Sequence, residues 1–178
     1  CTYNKGRMED LIQCLASLLN QKFRDFEILA VVDHNEKLYK TLATKYSASK
    51  VRVLLNNSKN IGQASTMNCG VKNSSGDIMC FIDDDAIADE NWLSELMKGY
   101  DDDTCAVGGR IEPLWIDNKP SYLPEEFYWM IGATGSYLSS EVREVRNLWS
   151  GNISYGKTVF DKVGLFSEDL GEAGSPLF

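Results

Sequence analysis

No run of apolar residues in this chain approaches the roughly 20 that a membrane-spanning helix needs, so no such span is expected within it. No signal peptide is visible. Basic residues are in the minority, 18 Lys and Arg against 26 Asp and Glu, for a net charge of −8. No Lys/Arg cluster reads as a nucleic-acid patch, and DNA and RNA are discounted as partners. P-loop, Gly-x-Ser-x-Gly and Cys-x-x-Cys signatures are missing. There is one histidine, His34, and it reads as an exposed loop residue rather than a ligand. The five cysteines (Cys1, Cys14, Cys69, Cys80 and Cys105) are odd in number and lack metal-ligand spacing. Cys14 and Cys80 fall inside apolar patterns and read as small core residues. That usage favours a reducing, cytoplasmic setting, where the N-x-Ser sequons at Asn56, Asn73 and Asn152 carry no meaning. Internal repeats and low-complexity segments are absent.

What is present suits one globular domain with a real core: 178 residues, 43% hydrophobic and 25% charged. Met8, Leu11, Ile12, Leu15 and Leu19 recur at helical spacing and predict a helix over about 8–20. Residues 26–32 read as a buried strand ending at Asp33. Leu38, Leu42 and Tyr46 predict a second helix, and 51–55 a second strand. The Asn-rich turn 56–62 opens a helix through about Val71. After Gly76, residues 77–82 form the next strand. Further on, 89–99 reads as a short helix, 104–111 as a strand containing Gly108 and Gly109, and 151–155 as a strand before a helix near 157–163. Glycines inside a strand often mark close approach of a ligand or another backbone. Residues 113–150 are rich in Trp, Tyr and Pro and less periodic. They are expected to form an acceptor-side surface. Strands alternating with helices predict an α/β fold with a Rossmann-like, mostly parallel sheet.

The most informative feature is Asp83-Asp84-Asp85 at the end of the apolar run Ile78–Ile82. Two carboxylates about 5 Å apart repel by roughly 3 kcal/mol at an effective dielectric of about 20. A cation relieves that repulsion. In extended geometry Asp83 and Asp85 share one face and Asp84 takes the other. Oxygen ligands open to solvent suit Mn²⁺ or Mg²⁺ carrying a phosphate. The plain alternative is a solvated acidic turn. An EF-hand fits poorly, because Ile87 and Ala88 stand where later ligands are needed. In parallel sheets, ligands bind beyond the carboxyl ends of the strands. Thr2-Tyr3-Asn4, Asp33, Asn60-Ile61-Gly62 and the triplet all fall at such ends.

With these residues in place, the chain resembles family 2 glycosyltransferases of the GT-A fold. The resemblance rests on Thr2-Tyr3-Asn4 with Arg7 nearby, Ser17 to Gln21, Glu27-Ile28 leading to Val32-Asp33, and Asn60-Ile61-Gly62. It continues through Asn68-Cys69-Gly70, Gly76-Asp77 to Asp85, and Trp92-Leu93. The second half is similar to members that build lipid-linked or cell-surface glycans, through Val107 to Arg110, Leu123 to Glu126, Gly151 to Ser154 and Val159 to Phe166. The resemblance implies one GT-A domain over 1–178, expected to be incomplete at both ends. Residues 1–85 would be its nucleotide-binding half and 86–178 its acceptor-side half.

The resemblance also implies roles. Thr2, Tyr3, Asn4, Asp33, Asn60, Gly62, Asp83 and Asp84 would hold the nucleotide. Asp85 and Asp83 would hold Mn²⁺ or Mg²⁺, and Arg110 and Asn152 would contact sugar or acceptor. Asp33 has its own chemical reason, since a strand-end carboxylate accepts from a uracil N–H or a ribose hydroxyl. It also fits a helix cap. Asn60 and Gly62 also fit plain turn chemistry, Asn68 a polar helix position, and Asn152 a strand-edge hydrogen bond. The implied reaction is inverting, metal-assisted transfer of a sugar from a nucleoside diphosphate, UDP-linked, to a hydroxyl of a glycan or lipid-linked acceptor. The implied place is the cytoplasm or the cytoplasmic face of a membrane. The family's acidic base motif is expected beyond Phe178, with Glu168, Asp169 and Glu172 poor substitutes. The 178-residue segment alone is therefore expected to bind donor without transferring sugar. The competing readings are a nucleotide-sugar-binding module without turnover and a sugar nucleotidyltransferase. The second is disfavoured because Thr2 to Arg7 is a poor match to the latter's Gly- and Arg-containing loop.

Overall fold

The computed structural model describes residue 2, residues 5–135 and residues 141–169. A 3₁₀ turn, Lys5–Arg7, leads into helix α1, Met8–Leu19. Its buried residues are Leu11, Cys14, Leu15 and Leu18, the three-and-four spacing that puts one helical face against a core. Strand β1, Ile28–Asp33, is buried along nearly its whole length, as its unbroken apolar run predicts. Helix α2, Glu36–Lys45, is capped by Asn35, whose side chain accepts from the Leu38 N–H at 3.0 Å. At α2 the cap is therefore Asn35 and not Asp33. Strand β2, Val51–Asn56, runs parallel to β1 in a register that sets Asp33 opposite Asn56. Leu38 and Leu42 from α2 and Tyr46 just after it meet the α1 face and Ile28, Ala30 and Val32 in one core.

Helix α3, Gln63–Asn73, and strand β3, Ile78–Ile82, follow. Helix α4, Trp92–Lys98, and the short strand β4, Ala106–Gly108, come next. A 3₁₀ helix, Glu125–Ile131, interrupts the irregular stretch. Strand β5, Asn152–Gly156, and helix α5, Lys157–Val163, complete the described elements.

The pairing qualifies the parallel expectation. β1 and β2 are parallel, and Thr2 adds a parallel bridge to Val32. The second sheet, in order β3-β5-β4, is antiparallel. The reason lies in where β5 begins. The irregular stretch delivers Asn152 opposite Ile82, at the end where β3 stops, so β5 must run back against it. Among the described residues no ladder joins β1 to β3. A cavity of about 760 Å³ lies between them, lined by Ile28, Val31, Met67, Met79 and Phe81 among others.

Candidate functional site

Two groups of polar residues gather at the strand ends. The first centres on Asp33, which is 8% exposed. Its Oδ1 accepts from Asn56 Nδ2 at 2.8 Å and lies 2.8 Å from His34 Nδ1, while its Oδ2 accepts from the Gly62 N–H at 3.0 Å. The parallel register presents Asn56, and Gly62 adopts φ +128°, a conformation that L side chains rarely take. Asn56 also donates to Ser65 Oγ at 3.0 Å. Thr2 is tied to the same strand end: its N–H donates to Val31 O at 3.1 Å, and its carbonyl accepts from the Asp33 N–H at 2.8 Å. Its buried hydroxyl has no hydrogen-bond partner among the described residues. Tyr3 and Asn4 lie outside the described residues, as does Glu172.

His34 is exposed just after β1, as predicted, and it also makes contacts the sequence did not suggest. With φ +50° it turns back so that Nδ1 meets Asp33 and Nε2 lies 2.7 Å from the Ser58 carbonyl. These partners raise its pKa above the ordinary 6.5, the Asp33 hydrogen bond foremost. The His34 contribution to stability is therefore full below about 6.5 and lost as pH rises through the higher folded-state value. As the one histidine, it should give a single imidazole titration by NMR with a midpoint above 6.5, returning toward 6.5 in Asp33→Asn. A wild-type midpoint at or below 6.5 would contradict the Asp33 contact in solution.

The second group is the acidic triplet. The strand ends at Ile82, and the Ala86 N–H donates to the Asp83 carbonyl at 3.2 Å. That hydrogen bond closes a turn with Asp84 and Asp85 at its corners. Exposure along the triplet still alternates as predicted: Asp83 and Asp85 are exposed and Asp84 is buried. Asp84 is buried and Asp85 exposed, yet Arg7 reaches both, at 3.3 Å to Asp84 and in a close hydrogen bond to Asp85. Asp83 turns toward Gly151, where a Cβ would lie 2.6 Å from its Oδ2. Asp83 is accessible at its surface, but enough protein crowds its carboxyl that burial raises its pKa, with the Asp85 charge adding to the effect. The geometric exposure and that crowding differ because one face of the side chain is open and the other is walled.

Helix α1 anchors the triplet from behind. Cys14 Sγ lies 3.4 Å from the Asp83 carbonyl, and Ser17 Oγ accepts from the Ala88 N–H at 3.0 Å. Gln21, fully buried, donates to the Asp89 carbonyl at 2.6 Å and accepts from the Leu93 N–H at 3.0 Å. Burial pushes the Cys14 thiol up to about 11, as for a packed core thiol.

The two groups are joined by a short stretch of chain. Thr2 and Arg7 are five residues apart, which bounds their Cα separation at roughly 18 Å. The other predicted residues are placed differently. Asn60 Nδ2 donates to Glu168 Oε2 at 2.9 Å. The buried Asn152 commits its amide to protein partners: its Oδ1 accepts from Trp92 Nε1 at 2.8 Å and its Nδ2 donates to the Arg110 carbonyl at 3.0 Å. Gly109 makes room for that amide, since a Cβ there would lie 2.6 Å from Asn152 Nδ2. The Arg110 side chain is exposed and pairs with Glu112 at 2.9 Å. Among the described residues, no three His, Cys, Asp or Glu side chains gather into a metal-holding cluster. Sequence reasoning missed Asn56 and Ser65. The signal was available in the parallel register, which sets a polar residue opposite Asp33 at the strand end.

The fold is shared with solved glycosyltransferases. Mannosyltransferase PcManGT from Pyrobaculum calidifontis, in complex with GDP-Man and Mn²⁺, matches with a TM-score of 0.68 over 96% of this chain and 46% of that chain, at 15% identity. S. aureus TarS 1–349 in complex with UDP-GlcNAc matches at 0.66 over 93% of this chain and 46% of that chain, at 16% identity. The class is thus a GT-A glycosyltransferase fold. Residues 1–164 match Glycosyl transferase family 2, and the chain belongs to that family. A glucosyl-dolichyl phosphate glucuronosyltransferase from Haloferax volcanii is 34% identical over 176 residues, covering 98% of this chain and 56% of that protein. The uncharacterized glycosyltransferase EpsJ of Bacillus subtilis is 23% identical over 163 residues, covering 89% of this chain and 47% of EpsJ. The chain spans about half the length of these two relatives.

Proposed function

We propose that this chain forms the donor-binding part of a glycosyltransferase that moves a sugar from a UDP-linked donor to an acceptor hydroxyl with inversion. The observation that carries the reading is the pair of polar groups at the strand ends, Asp33 with Gly62 and Thr2, and the triplet with Arg7. Asp33 accepts from the uracil or ribose. A carboxylate offers about four acceptor sites, so its present partners leave capacity for one more donor. Tyr3, Asn4 and Asn60 complete the nucleotide side, and Arg110 and Asn152 border the sugar and acceptor side. An acceptor of the lipid-linked glycan class is supported by the name of the Haloferax relative.

The triplet fits a divalent cation. Asp85 is nearly half exposed, and the Asp83 carboxyl, raised first by burial and then by the Asp85 charge, carries a like-charge repulsion that a cation relieves. Asp85 and Asp83 would hold Mn²⁺ or Mg²⁺, which needs only one or two carboxylates when phosphates supply other ligands. Such an ion supplies positive charge to the departing diphosphate. Arg7 keeps Asp84 and Asp85 oriented and adds fixed positive charge beside them. Calorimetry of the full-length protein with UDP and GDP, each with Mn²⁺ and with EDTA, tests this reading. UDP should bind more tightly than GDP, and EDTA should remove most of the affinity. Equal UDP affinity in both buffers would refute the metal assignment, and tighter GDP binding would refute the base assignment.

A further inference from the structure

Ser58 Oγ in the loop over residues 57–62 lies 2.5 Å from Ser65 Oγ on α3, and three further contacts hold the loop. Two come from the end of β1: Gly62 N–H to Asp33, and the Ser58 carbonyl beside His34. The third comes from more than one hundred residues further along the chain. Glu168 Oε2 accepts from Asn60 in this loop at 2.9 Å, and its Oε1 accepts from Asn68 on α3 at 2.8 Å. Asn68 is 2% exposed, and its amide also brackets the Phe166 backbone, accepting from the N–H at 3.0 Å and donating to the carbonyl at 2.9 Å. The Phe166 ring packs edge-on against Phe81, Tyr155 and Phe160 at 5.5–5.9 Å. Residues 166–168 are therefore docked on α3 as a unit, and Glu168 alone of that unit reaches the loop.

We propose that Glu168 is a positioning residue, a carboxylate latch that fixes loop 57–62 against α3 so that Gly62 meets Asp33. Its functional consequence rests on the donor-site reading; its structural consequence does not. The alternative is that Glu168 is a base. The two amides hold its carboxyl below the usual range, Asn68 foremost, the opposite of the tuning a base at neutral pH requires.

Hydrogen exchange on the full-length protein without nucleotide tests the latch directly. Glu168→Ala should speed exchange at residues 57–62 by about fivefold or more, consistent with losing hydrogen bonds to a charged group. Glu168→Gln, which can still accept from one amide, should recover at least half of the lost protection. Asn60→Ala removes only the loop arm and should reproduce the faster exchange even where Glu168→Ala does not fold. UDP affinity in Mn²⁺ should fall in parallel with exchange, with kcat changing less than KM. Unchanged exchange in both alanine variants overturns the proposal. Loss of transfer by about 10²-fold or more in Glu168→Gln with protection intact also overturns it, because that marks a base. A wild-type protein that binds neither UDP nor GDP sinks the donor reading, while the exchange data still decide on the latch.

Discussion

Asp85→Ala is expected to erase the gain in UDP affinity that Mn²⁺ provides, a loss of at least about tenfold, as one interaction with a charged group of about 1.5–3 kcal/mol implies. The variant should fold, because Asp85 is exposed and sits at a turn corner, and its circular dichroism should match wild type. Asp84→Ala should behave differently. Asp84 is buried against Arg7, so its loss leaves that guanidinium short of one partner and should lower thermal stability as well as affinity. The contrast separates a ligand from a support. An Asp85→Ala protein that keeps the full Mn²⁺-dependent gain would remove Asp85 from the metal assignment.

Asp33→Ala is expected to weaken UDP binding by about 1–3 kcal/mol and also to destabilise the unliganded protein by about 2–3 kcal/mol. From the sequence, Asp33 reads as a ligand contact at a strand end. The structure adds that its oxygens accept from Asn56 and from the Gly62 N–H inside a buried network. Removing them leaves the Gly62 N–H and one Asn56 amide hydrogen without an acceptor, which costs their desolvation; the other Asn56 hydrogen keeps Ser65. Asp33→Asn should not rescue, because one end of an amide must then turn a donor toward a donor. Urea denaturation without nucleotide, beside calorimetry with it, separates the two effects. Unchanged apo stability in both variants would show that the network does not hold in solution.

Much of the fold was legible because it rests on short-range patterns. Helical spacing of Leu11, Leu15 and their neighbours located α1, apolar runs located β1 and β3, and a run interrupted only by Arg52 located β2. The helix α5 matched its expected range of Lys157–Val163. What escaped were partners far apart in sequence. Arg7 reaches a triplet 78 positions away, and Asn60 reaches Glu168 across 108. No periodicity encodes such a pair, since it depends on how helices and sheets dock. The antiparallel return of β5 escaped for the same reason: strand propensity carries no sign of direction.

The sequence by itself determined the element types, the acidic triplet and the glycines that permit close approach, because each follows from local backbone sterics and side-chain chemistry. Only the tertiary structure decided that Asp84 is the buried member of the triplet, that His34 clasps Asp33, and that the Asn152 amide is bracketed by Trp92 and Arg110. Those outcomes turn on which donors and acceptors are left facing one another once the core has closed, and a buried polar group takes whatever partner the packing brings within about 3 Å.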